Sequence, residues 1–150
     1  HIRILSGLYG ILRPLDLIQP YRLEMVTRLS TNRGNNLYSY WENRITEVLK
    51  QLLKKEKSSV LINLASQEYL KSIKLEELGA HVITPVFQEI REGKPRTIVI
   101  YTKKARGFMC DEIIRKRMND KEDLKGFNRQ GYHFNESRSS DQRFVFERKS

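Results

Sequence analysis

The chain has 150 residues, enough for one domain with a core of its own. Hydrophobic residues make up 39% and charged residues 31%, the balance of a soluble globular protein, and 28 Lys and Arg against 18 Asp and Glu leave a formal net charge of +10. One cysteine, Cys110, excludes an intrachain disulfide or Cys cage, the three histidines stand apart, and no apolar run approaches the roughly 18 residues of a membrane span.

In chain order, Ile2 to Ser6 predict a strand, although no Met precedes them, so the chain is expected to be one domain, 1–150, cut from a longer protein. Gly7 and Gly10 bracket a tight turn, residues 15–29 predict irregular structure, and Thr31 to Asn36 a loop. Ser39 and Glu42 form a capping-box pattern that opens a helix over 41–55, with Trp41, Ile45, Val48, Leu49, Leu52 and Leu53 on one stripe. Val60 to Ala65 predict a strand buried on both faces, as in a parallel or mixed sheet. Ser66 starts a short helix, and Leu75 and Leu78 suggest another, stopped by Gly79. His81–Phe87 and Thr97–Tyr101 predict two strands joined by a hairpin-like connection over 91–95. A helix over 103–118 follows, broken at Asn119-Asp120, then one or two turns over 122–127. Arg143 to Arg148 alternate as a strand. The expected fold class is therefore mixed α/β, a mixed β-sheet flanked by helices.

Three places have the chemistry of a site. Ser6, Gly7, Tyr9, Gly10 and Arg13 suit an anion approached by backbone N–H groups, although taken alone they fit a tight turn around a packed Tyr better. Asn63 to Tyr69, with Asn63, Ser66 and Glu68, lies where open α/β sheets bind ligands, although a buried amide also serves loose backbone groups. Lys103, Lys104 and Arg106 fall in the first turn of the expected helix, where the dipole disfavours cations, so an anion is expected there. The triplet 115–117 lies at the favourable end and needs no ligand. Cys110 fits a buried structural thiol. Glu24, beside Tyr21 and Arg22, is the acid best placed for proton transfer. No catalytic triad, carboxylate pair or metal-ligand spacing is present, so catalytic residues stay unknown and no cofactor or metal is expected.

Several strings together are specific: Leu5-Ser6-Gly7-Leu8-Tyr9-Gly10-Ile11-Leu12-Arg13-Pro14-Leu15-Asp16, running on to Gln19-Pro20-Tyr21-Arg22-Leu23-Glu24-Met25; Leu61 to Tyr69; Lys103-Lys104-Ala105-Arg106-Gly107; Phe127-Asn128; Gly131-Tyr132; and Val145 to Arg148. In this order they resemble the bacterial peroxide stress protein YaaA family, across essentially the whole chain but only over the later part of the family's sequence. Val26-Thr27 departs from it, where a Gly is expected before the Thr, and Gln67 and Leu70 are milder substitutions. The resemblance implies a cytoplasmic protein of the oxidative stress response that helps limit intracellular iron and Fenton damage. It also implies DNA binding, a mixed α/β fold peculiar to the family and a helix-hairpin-helix element, for which the break at Asn119-Asp120 is a candidate.

The leading expectation is a DNA-binding stress protein that contacts backbone phosphate through Lys103, Lys104 and Arg106 first, then Arg13 and Arg22, without a membrane partner. The alternative is an enzyme or small-anion-binding protein with a pocket of Ser6, Gly7, Tyr9, Gly10, Glu24, Asn63, Ser66 and Glu68, with Lys103 nearby. The oligomeric state is left open.

Overall fold

A computed structural model describes residues 1–149. It divides into two compact units, His1–Ser59 with Ala65–Ala80, and Val60–Leu64 with His81 onward.

In the first unit, the apolar opening forms strand β1 (Ile4–Ser6), which pairs antiparallel with β2 (Gly10–Leu12) around the glycine turn. Residues 15–29 are irregular, as expected, but Met25 among them is fully buried. The single helix expected from a Ser39 capping box is instead two. Asn36 caps first, its side chain accepting from the Ser39 N–H at 2.8 Å, and starts α1 (Leu37–Trp41). Glu42 then leaves helical geometry, with φ 45° and ψ −116°, and ends α1 instead of continuing it. α2 (Arg44–Lys55) begins after that break and buries Ile45, Thr46 and Leu49, while Val48 of the expected stripe faces water. Its last turn carries Lys54 and Lys55, where the helix dipole favours cations. The Thr46 hydroxyl accepts from the Lys74 N–H, tying α2 to a 3-10 turn at Leu75–Glu77. α3 (Gln67–Leu70) follows Ser66, which makes no side-chain capping bond.

The second unit is a mixed five-stranded sheet, so the expected α/β class holds. β3 (Val60–Ile62) pairs parallel with β4 (His81–Arg91), and β4 pairs parallel with β7 (Arg143–Lys149). β6 (His133–Phe134) adds antiparallel outside β7, and β5 (Lys94–Arg96) folds back on the end of β4. β3 is half-buried along its length, less enclosed than its apolar run implied. The expected strand Thr97–Tyr101 is overturned. Glu92 and Gly93, with φ 51° and 72°, make a two-residue hairpin turn, so the return strand comes early, at Lys94–Arg96. Val99 then opens α4 (Val99–Lys116), an 18-residue helix that starts four residues before the expected one. The β preference of Thr97-Ile98-Val99-Ile100 does not decide the outcome, and Val99 and Ile100 enter the helix while staying 65% and 59% exposed.

Along β4, residues 83, 85, 87 and 89 are buried and the alternate ones half-buried. The buried set meets Ala105 and Met109 of α4, with Leu124, Phe127, Tyr132, Phe144 and Phe146 completing the core. The rings of Phe87 and Phe146, partners across β4 and β7, stack 5.3 Å apart, and Phe127 meets both edge-on. β7 buries Phe144, Val145 and Phe146 in succession, because it is central and covered on both faces, so period two alone does not describe it. After α4, Asp120 caps a 3-10 helix over Lys121–Gly126 through a capping box with Asp123. The candidate hairpin position thus leads into 3-10 structure, without a second α-helix.

Candidate functional site

α4 carries the strongest charge contrast. At its C-terminal end, Arg115 donates to Asp111 at 2.7 Å and Lys116 to Glu112 at 2.6 Å, each one turn back. Arg129 reaches the same Asp111. In the N-terminal half, none of Lys103, Lys104 and Arg106 has a carboxylate at ion-pair distance among the described residues. Because the helix begins at Val99, Lys103 opens the second turn, and the expected first-turn dipole conflict does not apply. Their lack of carboxylates is a separate observation.

The three are not alike. Lys103 and Lys104 are exposed. Arg106 is half-buried, donates one long bond of 3.5 Å to the Leu64 carbonyl, and has a buried Nε without a partner. Burial pulls its guanidinium below its ordinary pKa. Arg13 is held by its own loop: its Nε and backbone N–H both donate to Asp16, which lowers the Asp16 carboxyl. Arg22 is open to solvent, 4.0 Å from Glu24.

The glycine turn is explained from within. A Cβ at Gly7 would lie 2.5 Å from the Leu23 carbonyl oxygen, and Gly10 combines φ +74° with a Trp41 ring 2.8 Å from where its Cβ would be. Trp41 also donates its indole N–H to the Gly7 carbonyl at 2.9 Å. Buried Ser6 accepts from the Leu8 and Tyr9 N–H groups and shares a hydrogen bond with the Tyr21 hydroxyl. Tyr9 and Tyr21 meet edge-on at 5.4 Å. Glu68 accepts from the Val26 N–H through its carboxylate and from the Tyr38 hydroxyl through its carbonyl. Glu24 is exposed. Tyr69, missed as a candidate though it ends a quoted string, belongs to this cluster. Burial pushes its phenol up, with Glu68, Tyr21 and Glu24 adding to the shift, while the Met25 N–H works the other way.

Asn63 lies in the second unit, nearly buried, with its amide donating to Thr84 at 3.2 Å. Thr84 belongs to the half-buried alternate of β4, whereas α4 packs on the other, so Asn63 and Arg106 serve opposite faces of the sheet. Cys110 is half-buried, and burial with Asp111 nearby pushes its thiol up, opposite to the activated thiolates that react fast with peroxide. No group of three or more His, Cys, Asp or Glu is placed to hold a metal among the described residues. Among the described residues no helix is long and apolar enough to cross a membrane.

One polar cluster was not legible beforehand. Glu89, 1% exposed, accepts from the Tyr132 hydroxyl at 2.5 Å and twice from Arg148 Nε at 2.8 Å. Arg148 lies over the Tyr101 and Tyr132 rings at 4.7 and 4.8 Å. Among the described residues none of its buried side-chain polar atoms lacks a partner, which suits a strut joining α4, β4 and β7.

The family model described as peroxide stress protein YaaA matches residues 1–138. The chain belongs to this family. It is 51% identical over 149 residues to a UPF0246 protein of Saccharophagus degradans, covering 99% of this chain and 58% of that protein. A UPF0246 protein of Polynucleobacter asymbioticus is 51% identical over 99% of this chain and 57% of its own length, and one of Aromatoleum aromaticum 53% identical over 100% and 59%. The chain thus spans under three fifths of the length of these relatives.

Proposed function

We propose that this chain is the DNA-binding part of a peroxide stress protein, one that contacts the phosphate backbone with little sequence readout and helps limit free iron and Fenton damage to DNA. Family membership supports the stress role. The observation that supports DNA binding is the asymmetry of α4, where the cations at 115 and 116 are neutralised one turn back and those at 103, 104 and 106 are not. Exposed lysines without a carboxylate at ion-pair distance are open to phosphate, and a net charge of +10 adds long-range attraction. Arg22 offers a further exposed cation and Arg13 a partly neutralised one.

Replacing Lys103, Lys104 and Arg106 together by Ala is expected to weaken duplex binding at least tenfold, read by fluorescence anisotropy at fixed salt. Affinity equal to wild type would overturn the proposal.

A further inference from the structure

Arg106 and Thr102 are one helical turn apart on the same face of α4. Thr102 is 9% exposed, and its hydroxyl has no hydrogen-bond partner among the described residues. The Arg106 Nε is likewise buried without a partner, and among the described residues its guanidinium hydrogen-bonds only the Leu64 carbonyl, at 3.5 Å. Two unsatisfied donors, one of them cationic, are costly to bury unless something accepts from them. Leu64 follows β3, which runs parallel to β4, so Arg106 faces the carboxyl end of a parallel strand, where sheets of this kind take ligands, with Thr102 one turn away on the same helix face. β3 and β5 pair with the beginning and end of the same edge of β4, and residues 84–88 lie between them.

We infer that Thr102 and Arg106 seat one phosphate monoester at the carboxyl end of β3. This rests on the phosphate-binding reading above and divides its labour. Exposed Lys103 and Lys104 suit the continuous diester backbone, which presents its charge along a surface. A half-buried guanidinium with a buried hydroxyl beside it suits a group that projects, and a terminal phosphate does so while offering several acceptor oxygens to the planar fork. The terminal phosphate of a nucleic acid strand and a free phosphate share that chemistry.

The test is a titration of the full chain, at fixed ionic strength, with one short DNA strand carrying a 5′-phosphate and the same strand without it, plus inorganic phosphate as competitor. Wild type is expected to bind the phosphorylated strand about tenfold more tightly. Thr102→Val and Arg106→Met are expected to lose that increment, and Thr102→Val to keep or raise the melting temperature, since it removes an unpaired hydroxyl. Should Arg106→Met fold poorly, Thr102→Val carries the test. Lys103→Ala with Lys104→Ala should weaken both strands equally and keep the increment. Competition by inorganic phosphate would identify a seat for the free anion, and its absence a seat for a nucleic acid end; either supports the assignment. Equal binding of both strands by wild type without phosphate binding, or an increment that survives in both variants, would overturn it. If the lysine variant binds the unphosphorylated strand as wild type does, the backbone reading fails and the seat stands.

Discussion

Glu89 and Arg148 are the residues on which the second unit most depends electrostatically. A carboxylate this buried is tolerable because Arg148 and Tyr132 meet it directly, and losing one member leaves the other charge uncompensated. Arg148→Ala is therefore expected to cost about 3–5 kcal/mol in denaturant unfolding, while Glu89→Leu combined with Arg148→Met recovers most of it; a loss below 1 kcal/mol for the single variant would contradict the strut. The Asp141 carboxyl sits between Lys121 and His81, and the Lys121 hydrogen bond lowers its pKa first. A folded-state value below the unfolded one means stabilisation that is complete above roughly pH 4 and drains away as pH falls further. Thermal melts of wild type and Asp141→Asn should therefore differ at pH 6 and converge toward pH 2. A constant gap would contradict that linkage. None of these partners was legible locally, since Glu89 lies 59 residues from Arg148 and 43 from Tyr132.

Among the elements, α4 shows what periodicity reads and what it does not. Ala105 and Met109 lie on the buried side of the helix expected over 103–118, but its start is hidden by a β-branched run, of which Val99 and Ile100 are helical and exposed. The glycine turn was legible as a turn, yet the neighbours that demand its glycines, Leu23 and Trp41, come from distant sequence. Gly107 is different. It stands mid-helix, exposed, with no atom within 4 Å of an added Cβ. Gly107→Ala should raise stability by about 1 kcal/mol, roughly 2–4 °C in melting temperature for a chain of this size. A fall in melting temperature would mean that the site is more crowded than its surroundings indicate.

At the scale of the whole molecule, the family and the mixed sheet were legible, the one from long strings and the other from the apolar run at 60–65 and the strands at 81–87 and 143–148. The meaning of the charge was not, because composition counts paired and unpaired cations alike. Of 28 basic residues, those at 3, 13, 22, 50, 74, 115, 116, 121, 125, 129, 138 and 148 lie within ion-pair distance of a carboxylate. Lys103 and Lys104 are exposed without one. The central claim is that these lysines bind phosphate, and salt dependence reads it most directly. Each phosphate neutralised adds about −0.9 to the slope of log K against log salt for duplex DNA. Duplex titrations across several salt concentrations, for wild type and for Lys103→Ala with Lys104→Ala, should give a wild-type slope steeper by about 2. Equal slopes would contradict the account.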